Sequence, residues 1–391
     1  MIGGNKNRYS AQQKLERVNG GHEYFDYLHR MIDGAVHSIH IQMYIFSYDE
    51  TGKMVVDWLK GAAKRGVKIY ILVDGYATKL PLELLNIFSE TTIYIKRFEP
   101  LLMTRSFYFG RRLHHKIVVA DDGKALVGSN NINNHYYGLH NSRAWLDMAL
   151  YLEGTVAREL EQICVQLWNS TKPDDVHADL STPVPINKEG NESNISVKVS
   201  RNDWRQNRQE IWKSYFNIIN KANSNVLLVS SYFLPGKRLR KQMRLARAKG
   251  ISIKIITAGL SDVKIAKYAE RYLYAWLLRN NIEIYEYQPS ILHAKLGIRD
   301  GKWLTLGSFN INDISTYASI ELNLNVRNQP FVSSIEQQLN KIMTEDCIRI
   351  TVENFDKKQT FLQRIIQRFS YNLIRVLLFL FTFYFKKEKW Q

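Results

Sequence analysis

The chain places one unusual run of polar groups in two positions. Residues 113 to 133 read LHHKIVVADDGKALVGSNNIN, and residues 292 to 312 read LHAKLGIRDGKWLTLGSFNIN. In each, a histidine and a lysine two positions apart head an apolar, β-branched run. An acidic turn with glycine follows, and a second apolar run ends in Gly-Ser-x-Asn. A repeat on this scale constrains the fold more than any local pattern, because each copy is a unit built on the same plan. The flanks repeat in the same order. AKRGVKIYILVDGY at 63 to 76 answers RAKGISIKIITAGL at 247 to 260, each a basic helix end, a glycine stop (Gly66, Gly250) and a strand. HSIHIQMYIFS and NVLLVSSYFLPG supply a strand before it, TTIYIKRFEP and IEIYEYQP one after. Strands alternating with helices imply an α/β fold, and the 391 residues suit two domains. The expected architecture is two domains related by a pseudo-twofold, each a mixed β-sheet flanked by helices, with one shared active site at their interface. The first covers 1–171 and the second 200–350. Residues 172–199, rich in Pro, Asp, Asn and Ser, read as a linker, and 351–391 as a separate tail.

Side-chain parity gives the motif its chemistry. Residues 113 to 120 are expected as one strand running into Asp122-Gly123, a two-residue hairpin signal matched by Asp300-Gly301. On such a strand His114 and Lys116 share a face while His115 points the other way, and His293 shares a face with Lys295. The returning strand brings in Asn131 and Asn310. Ser129 and Ser308 are read as structural members of the motif. So are Asp121 and Asp300, which fall in the turns. Two imidazoles, two ammoniums and two amides make a cradle for a phosphodiester: the cations and amides bind nonbridging oxygens without requiring a metal or other cofactor. A neutral imidazole is a nucleophile near pH 7, and a second one can protonate a departing alkoxide and then deprotonate an incoming alcohol. Each imidazole needs an orienting acid, and Asp147 in WLDMAL and Glu321 in SIELNL are the candidates. The remaining histidines, among them His22, His29, His37, His40, His135, His140 and His177, lack a repeated partner and are read as structural or exposed.

The stretches beginning at His114 and His293 resemble the duplicated signature of the phospholipase D superfamily. The wording outside them (ILVDGY, SSYFLPG, SIELNLNV and WRQNRQEIWKSYFNIINKA) is most similar to the bacterial cardiolipin synthases, in the shorter class without N-terminal transmembrane helices. The resemblance covers about residues 18 to 350. It implies two phospholipase D-like domains, and it implies that His114 or His293 attacks phosphorus to give a phosphatidyl-histidine while the other serves as acid and then base. It also implies that Lys116, Lys295, Asn131 and Asn310 hold the phosphate. The implied reaction is phosphatidyl transfer from phosphatidylglycerol to the hydroxyl of a second phosphatidylglycerol, releasing glycerol; phosphatidylethanolamine can stand in for one of them. The rivals are a hydrolase releasing phosphatidic acid and a nucleic-acid phosphodiesterase.

Composition bears on that choice. Against 37 acidic residues the chain carries 54 lysines and arginines, a net charge of +17 that favours an anionic membrane or nucleic acid as partner. The tail FLQRIIQRFSYNLIRVLLFLFTFYFKKEKWQ argues for the membrane. Leu362, Ile366, Phe369, Leu373, Val376 and Leu380 form one helical stripe, with Arg364, Gln367, Arg368, Tyr371 and Arg375 opposite. Residues 376 to 385 are apolar apart from Thr382, but span only about 15 Å as a helix, half a bilayer core. An interfacial helix is therefore expected, and the alternative is packing on the protein's own core. The N-terminal stretch has no apolar signal sequence, and Cys164 and Cys347 are read as core thiols, so the expected location is the cytoplasmic side of a bacterial cell membrane, held peripherally by the tail.

Overall fold

The computed structural model describes residues 9–11, 14–100, 111–121, 123–140, 142–172, 195–312, 315–316, 319–357 and 359–387, with side chains as far as 377 in the last helix. The chain divides into two compact units. One comprises residues 1–200 with 306–308 and 320–327, the other 201–305 with 309–319 and 328–391.

Up to residue 170 the elements are β1 (Ser10–Ala11), β2 (Lys14–Asn19), α1 (His22–Asp33), β3 (Ser38–Met43), α2 (Glu50–Lys64), β4 (Lys68–Asp74), α3 (Leu82–Ser89), β5 (Ile93–Phe98), β6 (Arg112–Leu113), β7 (Lys116–Ala120), β8 (Lys124–Gly128), α4 (Asn134–Tyr137), β9 (Met148–Glu153) and α5 (Thr155–Ser170). Seven strands form a sheet in the order β2-β9-β8-β7-β3-β4-β5. β3, β4 and β5 run parallel, as the helices between them require, and β7 lies antiparallel to β3. β3 is buried at every position because both faces are covered. Ile39, Ile41, Met43, Ile69 and Ile71 pack with α1 and α2. Alternate residues face α5: Tyr70 and Leu72 pack with Trp168, and Gln42 donates to the Cys164 carbonyl.

That second face holds two neutral histidines. Burial pushes His40, stacked 4.8 Å from Tyr70, down to about 4. Burial, reinforced by Lys116 and His114, pushes His115 down to about 3. Both folded values lie below the unfolded value near ~6.5, so the stability they contribute is complete above that pH and is lost as pH falls through it. Urea unfolding at pH 7.5 and pH 5 is expected to differ by about 2 kcal/mol for each histidine, and His115→Gln to remove one share of the difference.

The remaining elements are β10 (Ser196–Asp203), β11 (Arg208–Gln209), α6 (Glu210–Asn220), β12 (Asn225–Ser230), α7 (Lys237–Ala248), β13 (Ser252–Ala258), α8 (Lys264–Arg279), β14 (Glu283–Tyr287), β15 (Leu296–Arg299), β16 (Trp303–Gly307), β17 (Ser319–Arg327), α9 (Gln329–Glu345), β18 (Cys347–Ile350), α10 (Val352–Lys357) and α11 (Phe361–Lys387). The second sheet has the order β1-β10-β17-β16-β15-β12-β13-β14-β18. Its centre repeats the plan of the first: β12, β13 and β14 are parallel, and β15, which follows the second histidine, lies antiparallel to β12. The expected mixed sheets flanked by helices are both present. β10 begins at Ser196, inside the stretch read as a linker, whose residues 173–194 lie outside the described residues, as does His177.

Several local expectations change. The strand expected over 113 to 120 is broken at the histidines: β6 ends at Leu113 and β7 begins at Lys116. The Leu113 N–H donates instead to buried Asp74, at 2.8 Å, and the His114 N–H to the Ile320 carbonyl, at 3.0 Å. The connection after β7 has three residues rather than two, since Ala120 pairs with Lys124, and Asp122 itself lies outside the described residues. It starts early because Asp121 is left-handed (φ 49°) and its carboxylate accepts the N–H groups of Val36, His37 and Ser38. Asp300 (φ 53°) does the same for Asn223, Ser224 and Asn225. Cys164 is a core thiol, whereas Cys347 is half-buried on strand β18.

The tail is one helix, and it packs in an unexpected sense. Its polar side faces the protein: Gln367 and Ser370 are buried, and Tyr371 and Ile374 lie against Leu234, Ala269 and Leu273. The apolar stripe faces outward, leaving Phe361 80% and Phe369 66% exposed, with Leu362, Ile365 and Val376 beside them. Among the described residues no helix is long and apolar enough to cross a membrane.

Candidate active site

The first motif is assembled around a hydrogen bond that spans 207 residues of sequence. His114 Nδ1 lies 2.8 Å from Oε2 of Glu321, a carboxylate with no solvent exposure. A carboxylate can only accept, so Nδ1 carries the proton and Nε2 keeps the lone pair a nucleophile or base needs. Glu321 comes from β17, downstream of the second motif, and residues 320–327 belong to the same compact unit as His114. The Ser308 hydroxyl donates to the same Oε2 and accepts from the Leu322 N–H, so the motif serine holds the acid in place. Ser129 does likewise for Asp147, whose Oδ1 also accepts the Met148 N–H at 2.7 Å.

Each lysine turns back on its own histidine. Lys116 Nζ donates to the His114 carbonyl at 2.9 Å, and Lys295 Nζ to the His293 carbonyl. Both are about 99% buried, so their charge acts in a weakly screened environment. Their further contacts differ. Lys116 sits 4.9 Å over the ring of Tyr44, which also meets His114 edge-on at 4.8 Å, whereas Lys295 donates to the Ser231 hydroxyl at 3.0 Å. Burial, followed by the nearby Asp74 carboxylate, pushes the Tyr44 hydroxyl up to about 12, keeping it a neutral donor. His115 points away from this group and donates from Nδ1 to Gln42 Oε1 at 2.8 Å.

The asparagines are buried where the returning strands end. Asn131 holds a loop: Oδ1 accepts the Ile45 N–H and Nδ2 donates to the Tyr136 hydroxyl. Asn310 is anchored by its backbone N–H to Ser315 Oγ, which leaves its side-chain amide out of that bond. The loops after β3 and β12 cross the motif ends in equivalent ways, Phe46 bridging Ile132 and Leu234 bridging Asn312. Other histidines have structural partners: His29 stacks on Trp58, His135 on Trp145, and His140 pairs with Glu50 at the surface. Among the described residues no three His, Cys, Asp or Glu side chains are grouped to hold a metal ion.

Residues 28–168 and 215–343, each of which carries one copy of the motif, match a family model described as "Cardiolipin synthase, PLD-like domain". The chain belongs to this family. Cardiolipin synthase B of Salmonella typhimurium is 29% identical over 352 residues, covering 88% of this chain and 84% of that protein. The Escherichia coli K12 protein of the same name is 27% identical, covering 86% and 82%. Cardiolipin synthase of Clostridium perfringens SM101 is 27% identical, covering 94% and 77%. In fold, a phosphatidylserine synthase from Haemophilus influenzae superposes with a TM-score of 0.71 at 15% identity, covering 94% of this chain and 95% of its own. The chain is thus an enzyme of the phospholipase D superfamily with the two-domain α/β fold expected of it.

In this cardiolipin synthase family member the second motif rests on a charged network that the sequence did not flag. Glu270 of α8, 1% exposed, accepts the Phe233 N–H through Oε2, and through Oε1 the hydroxyls of Thr257 and Tyr274 and the Lys267 ammonium. Phe233 lies two residues after Ser231, so Glu270 positions the loop that presents Ser231 to Lys295. Within the network Glu286 is held low, because Lys267 and Arg271 outweigh the effect of burial. Glu270→Gln keeps the shape but leaves half-buried Lys267 with Glu286 as its remaining acidic partner, and is expected to cost about 1–3 kcal/mol by denaturant titration.

Proposed function

We propose that this chain is a cardiolipin synthase that exchanges one phosphodiester for another through a phosphatidyl-histidine, with both motifs acting on the same phosphorus. One histidine Nε2 attacks the phosphorus of phosphatidylglycerol; the P–O bond to glycerol breaks, and the other histidine, as imidazolium, protonates the leaving oxygen. That histidine then takes the proton from the hydroxyl of a second phosphatidylglycerol, whose oxygen attacks phosphorus as the N–P bond breaks. Lys116, Lys295, Asn131 and Asn310 carry the nonbridging oxygens through the pentacoordinate state, and Glu321 steadies the charge that appears on His114. The reaction conserves bond type and draws on no nucleotide, metal or other cofactor.

The observation that carries this reading is the His114 Nδ1–Glu321 pair, because it presents a fixed tautomer with Nε2 reserved for chemistry. The last helix supports a peripheral location at the membrane. An outward apolar stripe with Arg364, Arg368 and Arg375 along one edge is the reverse of an ordinary surface helix, and it suits a helix lying in the interface on the cytoplasmic side of a bacterial membrane. The test is lipid mass spectrometry after purified chain meets phosphatidylglycerol vesicles in chelator. Cardiolipin with equimolar glycerol is the expected product. Phosphatidic acid alone would make the chain a hydrolase and overturn the synthase reading, and unchanged lipid would overturn both.

A further inference from the structure

The outward face of α7 has no role in the chemistry above. From Lys237 to Gly250 the chain reads KRLRKQMRLARAKG, with seven basic residues and no acidic one. Leu239, Met243 and Ala246 bury the inner face, which leaves Lys237, Arg238, Lys241 and Arg244 exposed on the outer one, with Leu245 among them. These four cations make no ion pair among the described residues. Like charges at i, i+3 and i+4 repel one another, so such a row is destabilising until an anionic surface neutralises it.

Where α7 lies in the second unit says which surface. Arg240, on its flank, lies 5.6 Å over the Trp276 ring of α8, and its Nη2 reaches the Tyr371 hydroxyl of α11 at 3.4 Å. Arg375 of α11 lies 5.6 Å over the ring of the same tyrosine, which itself stacks on Tyr272 of α8. Tyr371 sits on the arginine edge of α11. The cationic row of α7 therefore continues the arginine edge of the helix whose neighbouring face is apolar and exposed. Charge beside an exposed apolar strip is the arrangement that fits a bilayer containing acidic lipid; a polyanion in water would gain nothing from the strip.

We infer that α7 is a second membrane-docking element, its outer lysines and arginines binding the anionic headgroups of the bilayer into which α11 lays its apolar face. This rests on the interfacial reading of α11 but assigns a separate role to different residues. Near an anionic leaflet each such residue contributes up to about fivefold in partitioning, and salt screens it.

The full chain is floated with vesicles of phosphatidylcholine alone or mixed with phosphatidylglycerol. One variant carries Lys237→Gln, Arg238→Gln, Lys241→Gln and Arg244→Gln, another Ile365→Ser and Phe369→Ser, and both are checked for native unfolding temperature. The α7 variant is expected to lose at least about tenfold in binding to the acidic vesicles, and wild type to lose about as much on going from about 0.1 to 1 M salt. If the α7 variant binds acidic vesicles as wild type does while the α11 variant is released, the inference about α7 is wrong and the interfacial helix stands. If the α11 variant binds unchanged, the interfacial reading fails, and the inference that rests on it fails too. Weakened binding to single-stranded DNA with unchanged binding to acidic vesicles would make α7 a nucleic-acid surface and overturn the inference.

Discussion

His293→Ala and His114→Ala are each expected to lower cardiolipin formation by at least about 10⁴-fold, with little change in unfolding temperature. Removing the nucleophile closes the covalent route. Removing the acid leaves an alkoxide to depart unprotonated and an alcohol to attack without a base. The two losses differ in kind, and intact-protein mass spectrometry after mixing with phosphatidylglycerol separates them. The variant that lacks the nucleophile cannot gain the mass of a phosphatidyl group, whereas the variant that lacks only the acid and base can gain it and then fail to pass it on. Because the steps share both groups, the double variant is expected to be scarcely worse than the poorer single one. A variant retaining more than about a tenth of wild-type turnover would remove that histidine from the mechanism.

Glu321→Gln is the second large effect. The carboxylate accepts from His114 Nδ1 and from Ser308 and has no contact with solvent. An amide of the same shape presents a donor as well as an acceptor, so it can stabilise the wrong imidazole tautomer and cannot neutralise an imidazolium. The expected result is a fall in kcat of about 10²- to 10³-fold with KM changed less than about threefold, since the glutamate acts through His114 and not on the lipid. Steady-state kinetics on dispersed phosphatidylglycerol would show it. A loss confined to KM would mean that Glu321 shapes substrate binding, and an unaltered kcat would detach it from catalysis.

Much of the architecture was legible because it is periodic. β-branched runs after glycine stops at Gly66 and Gly250 became parallel strands β4 and β13, and the alternation that sends His115 away from His114 survived, since the two histidines find different partners. What was misread is local competition for backbone groups. Nothing in LHHKIVVA announces that buried Asp74, 39 residues earlier, takes the Leu113 N–H and ends the strand there, or that Asp121 is occupied with Val36, His37 and Ser38. Ser231, Tyr44 and Glu270 were likewise invisible as partners of the motif lysines and their loops. A serine in SSYFLPG carries no mark of the ammonium it will meet.

The amino-acid order by itself determined that two copies of one α/β plan exist, that each heads one apolar run with His-x-Lys and ends the next in Gly-Ser-x-Asn, and that the last helix has one apolar stripe, because spacing along a chain fixes which side chains share a face. Only the tertiary structure decided which acid serves His114, and that the apolar stripe of α11 faces away from the protein while Gln367 and Ser370 face it. Those depend on contacts between residues far apart in sequence and on what another helix already covers, and periodicity holds no record of either.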